Sequence, residues 1–348
     1  MYKEIWEQFD FSNIQDMLDG IFKQSGINFS DLVETLLSGR NLNLNDILRA
    51  FGDLFWGELL TQRKALLGII AIAVFAGIFR AVADVFDSHQ IADMSYYSMF
   101  LLLFTMLVRT FSETAEVGTD AVLKLTDFMK ALIPAYSLGI GLASGEAGAA
   151  AFSSIALFVI YLATEFIRGF LFPMIHIYVV LALINHMAGG EYLRQAAELL
   201  KTFIQFLSKT MIGIAVGVNF IQGMIAPVID SARRGFVVKA FSAIPGIGGA
   251  ADSVVEVAVS AAILVKNSVG IAGALILVLI AAVPAIKIAA CFLMYKVTAA
   301  LLGPIAHRNI AAGVSEVGEG ALMLLKSVMT ALLLFLITIA IIMVSSGH

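Results

Sequence analysis

Charge is what this sequence has least of. Only 14% of its 348 residues are Asp, Glu, Lys or Arg, where a soluble domain carries roughly 25%. A globular chain of this size must cover its surface with polar groups, so the shortage excludes an ordinary soluble enzyme and a disordered protein alike. Cysteine is nearly missing. With Cys291 alone, no intramolecular disulfide and no cysteine-built metal site can form. A basic excess is lacking too: the net formal charge is −4 and the pI about 5.7, which leaves a nucleic-acid binder without electrostatic footing. What remains is 60% hydrophobic residues and a mean hydropathy of +0.93. This is the composition of an all-α polytopic membrane protein whose first partner is the lipid bilayer.

The charge is also unevenly placed. Residues 1–64 carry six Lys/Arg and ten Asp/Glu, and the other 284 residues carry 16 of each sign. The chain therefore divides into an acidic segment, 1–64, outside the membrane core, and a transmembrane domain, 65–348. The first segment reads as amphipathic helices. Ser12 can cap one with Gln15 at its third position, and Ile14, Met17, Leu18, Ile21 and Phe22 share a face. Ser30 and Asn45 can start two more. The acidic polar faces argue against adhesion to anionic lipid, which leaves a docking element or a small cap packed on the membrane domain. Nothing at Met1-Tyr2-Lys3-Glu4 resembles the apolar core of a secretory signal.

Past Lys64 the apolar runs reach the ~20 residues a bilayer crossing needs. About eight transmembrane helices are expected, near 66–86, 94–111, 146–167, 170–188, 203–225, 252–279, 281–303 and 321–345. Two further apolar pieces, 129–143 and 236–249, are too short to cross. They hold Pro134, Pro245 and Gly248 and read as re-entrant or broken helices. Ile133-Pro134 recurs as Ile244-Pro245, and Pro173-Met174-Ile175-His176-Ile177 as Pro284-Ala285-Ile286-Lys287-Ile288, both offset by 111 residues. Glu146 and Glu256 nearly match. The halves, about 129–225 and 236–345, read as an inverted repeat, because three expected spans separate equivalent points. Arg233, Arg234 and Lys239 form the densest basic cluster, which places that loop in the cytoplasm and residues 1–64 on the opposite side.

Enzyme chemistry finds no support, and no cofactor is expected. There is no G-x-x-x-x-G-K-[ST] phosphate cradle and no H-E-x-x-H metal motif in the chain. Gly213-x-x-x-Gly217 allows close helix packing. Ionisable residues within apolar runs carry more information, since burying one at the bilayer centre costs at least ~2.5–3.5 kcal/mol unless it is paired or wet. Arg80 and Asp84 can neutralise one another. Asp252 and Glu256 share a helix face without a basic partner nearby in sequence, Lys266-Asn267-Ser268 interrupts an apolar run ahead of Gly270, and Lys287 and Lys296 lie in the next span. With Glu146, the residues Asp252, Glu256, Lys266, Asn267 and Lys287 either line a watery path or close an ion-pair network. Smooth small residues at Gly145 and Ala147–Ala151 suit helix contact between copies, so a homo-oligomer is expected.

Several motifs resemble the stage III sporulation protein AE family of endospore-forming bacteria. They are Lys130-Ala131-Leu132-Ile133-Pro134, Ile244-Pro245-Gly246-Ile247-Gly248, Leu264-Val265-Lys266-Asn267-Ser268-Val269-Gly270 and Pro284-Ala285-Ile286-Lys287. The resemblance covers roughly residues 120–348. It implies a membrane component of the channel apparatus between mother cell and forespore, in the outer forespore membrane, with residues 1–64 in the intermembrane space. It further implies other proteins of that complex as partners, among them a separate ATPase. The family pattern includes a cleaved signal that this sequence lacks, so the chain reads as a mature form. Three functions stay open: a channel or transport subunit, an ion-coupled secondary transporter, or a scaffold that conducts nothing.

Overall fold

The computed structural model describes residues 12–21, 29–37, 56–57, 60, 67–72, 74–75, 78, 89–144, 146–187, 193–214, 217, 248–304, 306 and 308–345. Among these residues there is no strand. Two short helices come first, α1 (Ser12–Ile21) and α2 (Phe29–Leu37). Their apolar residues recur every four positions, and Ile14, Leu18, Phe29 and Val33 are fully buried. Gln15, expected in a capping box, accepts the Phe29 N–H at 3.0 Å and donates to Asp19 at 2.8 Å. It thereby fastens the start of α2 to α1. The two helices pack on α3 (His89–Ser144) and α7 (Gly248–Leu302) respectively, and their buried faces join the one main core. The third expected helix and the Arg80–Asp84 pair lie outside the described residues.

Long helices make up the rest. α3 has 56 residues and α7 has 55, about 80 Å each at 1.5 Å per residue. α4 (Glu146–Phe166) continues through a π turn, Ile167–Leu171, into α5 (Phe172–Met187). A helix over 194–214, α6, follows, and α8 (Arg308–Ser345) closes the chain. Four stretches are long and apolar enough to cross a membrane: Tyr97–Ser137, Ser153–Met187, Ile263–Leu302 and Arg308–Ala340. Of the eight expected spans, much of 66–86 and 203–225 lies outside the described residues. The pairs 146–167 with 170–188, and 252–279 with 281–303, are each one continuous rod.

The break expected at Pro134 is absent as well, and the polar run Lys266–Ser268 does not interrupt α7. A proline inside a helix removes one hydrogen bond and crowds the carbonyl four residues back, at a cost of about 3 kcal/mol. α3 nevertheless runs on to Ser144. The ring of Pro134 is exposed, while Leu132, Ile133, Ala135 and Tyr136 around it are buried, so the packing of these neighbours holds the helix together. In α7, Ser268 turns its hydroxyl back onto the Leu264 carbonyl at 3.0 Å, which satisfies it without unwinding the helix. Pro173 is accommodated differently. Directly before it the Phe172 N–H reaches the Ile167 carbonyl, and this wider turn relieves the clash that a proline makes with an α-helical carbonyl.

Neighbour contacts fix the directions. Tyr295 Oη donates to Thr110 Oγ1 at 2.8 Å, Gly118 lies against Ile288, Gly273 against Leu132 and Gly270 against Tyr136, so α3 and α7 are antiparallel. The buried hydroxyls of Thr126 and Thr164 share a hydrogen bond of 2.6 Å, Ser137 pairs with Ser153, and Gly118 touches Phe172. The α4–α5 rod therefore also runs antiparallel to α3. α8 packs on α7, α5 and α3. Gly320 permits this approach: a Cβ there would sit 2.3 Å from Val179 and 2.9 Å from the Phe111 ring.

Gly320→Ala is therefore expected to destabilise the protein. Overpacking typically costs about 1–3 kcal/mol against a helix-propensity gain of roughly 1 kcal/mol, and the 2.3 Å contact puts the cost at the upper end, so the net loss should approach ~2 kcal/mol. At Gly213 a Cβ would meet nothing within 4 Å, so Gly213→Ala should match or exceed the wild type. Thermal unfolding of both variants in detergent checks the contrast; an unaltered Gly320→Ala midpoint contradicts it.

Candidate functional site

The residues singled out in the sequence fall only partly within what is described. The side chains of Glu146, Asp252, Glu256 and Lys266, and all of Pro245, lie outside what is described, while Gly248 opens α7. Lys287 is exposed on α7, and Asn267 Oδ1 is buried with no hydrogen-bond partner among the described residues. A Cβ at Gly213 or Gly217 would meet nothing within 4 Å among the described residues. Two other features gather the polar chemistry.

The first is a face of α3. Arg109, Glu113, Glu116, Asp120, Lys124, Asp127 and Lys130 follow one another by three or four residues, which aligns them along one side of the helix. All are exposed except the half-buried Lys124. The opposite face, Phe111, Ala115, Val122, Leu125, Phe128 and Leu132, is buried. Pairs along the stripe join Arg109 to Glu113 at 3.3 Å, Lys124 to Asp120 at 2.6 Å and Lys130 to Asp127 at 3.4 Å. Glu116 has no ion-pair partner among the described residues. The stripe rises about 32 Å along the helix, close to the ~30 Å thickness of a bilayer's hydrocarbon core.

Its neighbours give that length meaning. The antiparallel contacts set Arg109–Lys130 level with the region of Tyr161, Leu162, Phe170 and Ile177 on the α4–α5 rod and of Val278 and Leu293 on α7, all exposed. Met329 and Leu333 of α8 are exposed beside them. Exposed Glu165, Arg168, Lys287 and Lys326 interrupt this apolar surface one or two at a time. Seven ionisable groups in a continuous row are another matter. Acidic side chains are too short to snorkel past several turns, and each charge left in hydrocarbon costs a few kcal/mol. This face of α3 is built for water or for protein, not for lipid.

The second feature lies where α5, α6 and α8 meet. Glu319 of α8 binds two lysines: Lys296 of α7 at 2.6 Å and Lys201 of α6 at 3.1 Å. Lys296 also donates to Ser315 Oγ at 3.1 Å, and Lys201 Nζ sits 5.9 Å from the centre of the Tyr178 ring. The Tyr178 hydroxyl donates to Glu316. Beside this cluster opens a cavity of about 640 Å³ lined by Tyr178, Ala182, Asn185 and His186 of α5, by Arg194, Ala197, Glu198 and Lys201 of α6, and by the first turns of α8. Asn185 Oδ1 accepts the Leu193 N–H at 3.1 Å, which anchors the start of α6 at the cavity wall.

The stage III sporulation protein AE family profile matches residues 27–346. The chain belongs to this family. The stage III sporulation protein AE of Bacillus subtilis (strain 168) is 25% identical over 320 residues, covering 91% of this chain and 79% of that protein. No solved structure matches. Membership ties the chain to sporulation, and the four apolar stretches associate it with a membrane. Two of the segments that carried the resemblance have places in the fold. Lys130 to Pro134 runs from the end of the charged stripe into the contact with α7, and Pro284 to Lys287 lies in the middle of α7.

Proposed function

We propose that this family member is a channel or transport subunit of the sporulation apparatus, passing small molecules or ions, and that copies of it assemble so that the charged face of α3 borders a water-filled path. The observation that carries the reading is that face itself: seven ionisable residues in line over about 32 Å of helix. A homo-oligomer with α3 toward its axis gives those residues water while the apolar faces of the other helices meet lipid. The outer forespore membrane, with residues 1–64 in the intermembrane space, is the location in keeping with family membership, and a separate ATPase and other channel proteins are the proposed partners. The inverted-repeat plan belongs to the same proposal. Pro173 and Pro284, its equivalent points, both lie inside long apolar rods.

Two other readings make different demands. An ion-coupled secondary transporter works as a single copy, and a scaffold needs no wet face at all. Accessibility decides between them. Single cysteines at Glu113, Glu116, Asp120 and Asp127, in a Cys291→Ala background, should react with a charged impermeant thiol reagent in membranes. Cysteines at Leu162 and Phe170 should resist it. A stripe that stays unreactive while the protein is folded and membrane-inserted would overturn the water-filled path.

A further inference from the structure

We propose that the cavity between α5, α6 and α8 binds a dipolar organic solute, one that offers a carboxylate to Arg308 and an ammonium group to Glu316. The site is separate from the α3 stripe and does not rest on what that stripe conducts.

The argument begins with the ion pairs around the cavity. Arg194 is matched by Glu198 at 3.0 Å, and Lys201 and Lys296 share the one carboxylate of Glu319, which leaves that cluster one positive charge in excess. Arg308 and Glu316 also line the cavity, and neither has an opposite charge within 4 Å among the described residues. One positive group, exposed, and one negative group, half-buried, thus face the same space with no ion pair among the described residues. They do not pair with each other: they sit eight residues apart on α8, about 12 Å along its axis. Glu316 is held in place: its Oε2 accepts the Tyr178 hydroxyl, which leaves the other oxygen for a donor in the cavity. Arg308 offers the planar fork that recognises carboxylates.

The room is there as well. A volume of about 640 Å³ falls within the roughly 300–1,000 Å³ of sites that hold small organic molecules. Ala182, Ala197 and Ala312, one from each helix, keep the walls back. A simple anion could pair with Arg308 and a simple cation with Glu316, but each would leave the other group with water alone. A molecule with both groups several ångströms apart, such as a short peptide with free ends, neutralises both without adding net charge.

The experiment is calorimetric titration of the purified full-length protein with three probes: dialanine, N-acetyl-dialanine, which lacks the ammonium, and dialanine amide, which lacks the carboxylate. Dialanine should bind, and each blocked form at least about tenfold more weakly, the usual effect of losing one charged hydrogen bond. Arg308→Gln should weaken dialanine about tenfold and leave the amide unchanged. Glu316→Gln should do the same for dialanine and leave the acetylated form unchanged. Glutamine keeps an acceptor for Tyr178, so unaltered thermal unfolding separates loss of the site from loss of the fold. Should either variant misfold, the three probes on the wild type decide alone. No binding of dialanine, equal affinity for all three probes, or a folded Arg308→Gln protein that binds as tightly as the wild type would overturn the proposal.

Discussion

Glu319→Ala is expected to loosen the bundle by about 3 kcal/mol, because it leaves two lysines without their shared carboxylate. Removing one member of a buried ion pair costs roughly 3–5 kcal/mol, mostly from the charge left behind. Here the side chains of Lys201, Glu319 and Lys296 keep 31%, 26% and 32% of their exposure, so water screens part of the loss and the lower end applies. The damage falls on three helices together, since the lysines come from α6 and α7 and the carboxylate from α8. A second substitution identifies the cause. Lys296→Met in the Glu319→Ala background removes one stranded ammonium and should recover part of the stability, whereas Lys296→Met alone should destabilise. Denaturant unfolding in detergent measures the cycle. Additive losses would mean that the three residues are not energetically coupled.

The largest functional effect is expected at Glu116. Within the α3 stripe the other charges pair along the helix, Arg109 with Glu113, Asp120 with Lys124 and Asp127 with Lys130. Glu116 is the residue that makes the stripe net negative, four acidic groups against three basic. In an oligomer each copy contributes one such carboxylate at a single height, and rings of carboxylates select cations. Glu116→Lys turns that ring positive, so the reversal potential in an asymmetric salt gradient should change sign. Glu116 is exposed, and the substitution should leave folding within about 0.5 kcal/mol. Reconstituted protein that conducts with the same selectivity before and after the exchange would remove α3 from the path.

Composition and periodicity made the helical membrane class and the amphipathic α1 and α2 legible before any coordinates. The ends of the long helices were not. Pro134 and the polar run at Lys266–Ser268 looked like breaks because a local reading weighs the lost hydrogen bond. It cannot weigh the burial of Leu132, Ile133 and Tyr136 on one side, or the hydroxyl of Ser268 satisfied within its own helix. The α3 stripe was written in the spacing of Arg109 to Lys130, but much of it fell between expected spans and went unread as a face. The cluster around Glu319 had no local signal. Lys201 and Glu319 are 118 residues apart, and Tyr178 and Glu316 are 138 apart. Only the approach of α8 to α5 and α6 brings them together, and Gly320, an unremarked glycine in the sequence, permits its part against α5.

The wide turn before Pro173 has a bearing on how one rod serves two partners. Each residue of a helix advances its side chain by about 100°, so the single extra residue in Ile167–Leu171 resets the phase of everything after it. Upstream, Ala156, Ile160, Ala163 and Thr164 form the buried face, and Thr164 meets α3. Downstream, Tyr178, Val179 and Leu183 turn toward α8. Without that offset the second half of the rod would present the flank of its helix to α8, and Tyr178 would swing away from Glu316. The turn acts as a mechanical key: the chain can gain or lose a residue in many surface loops, but a one-residue deletion here would dial the cavity wall out of alignment while leaving α4 seated on α3.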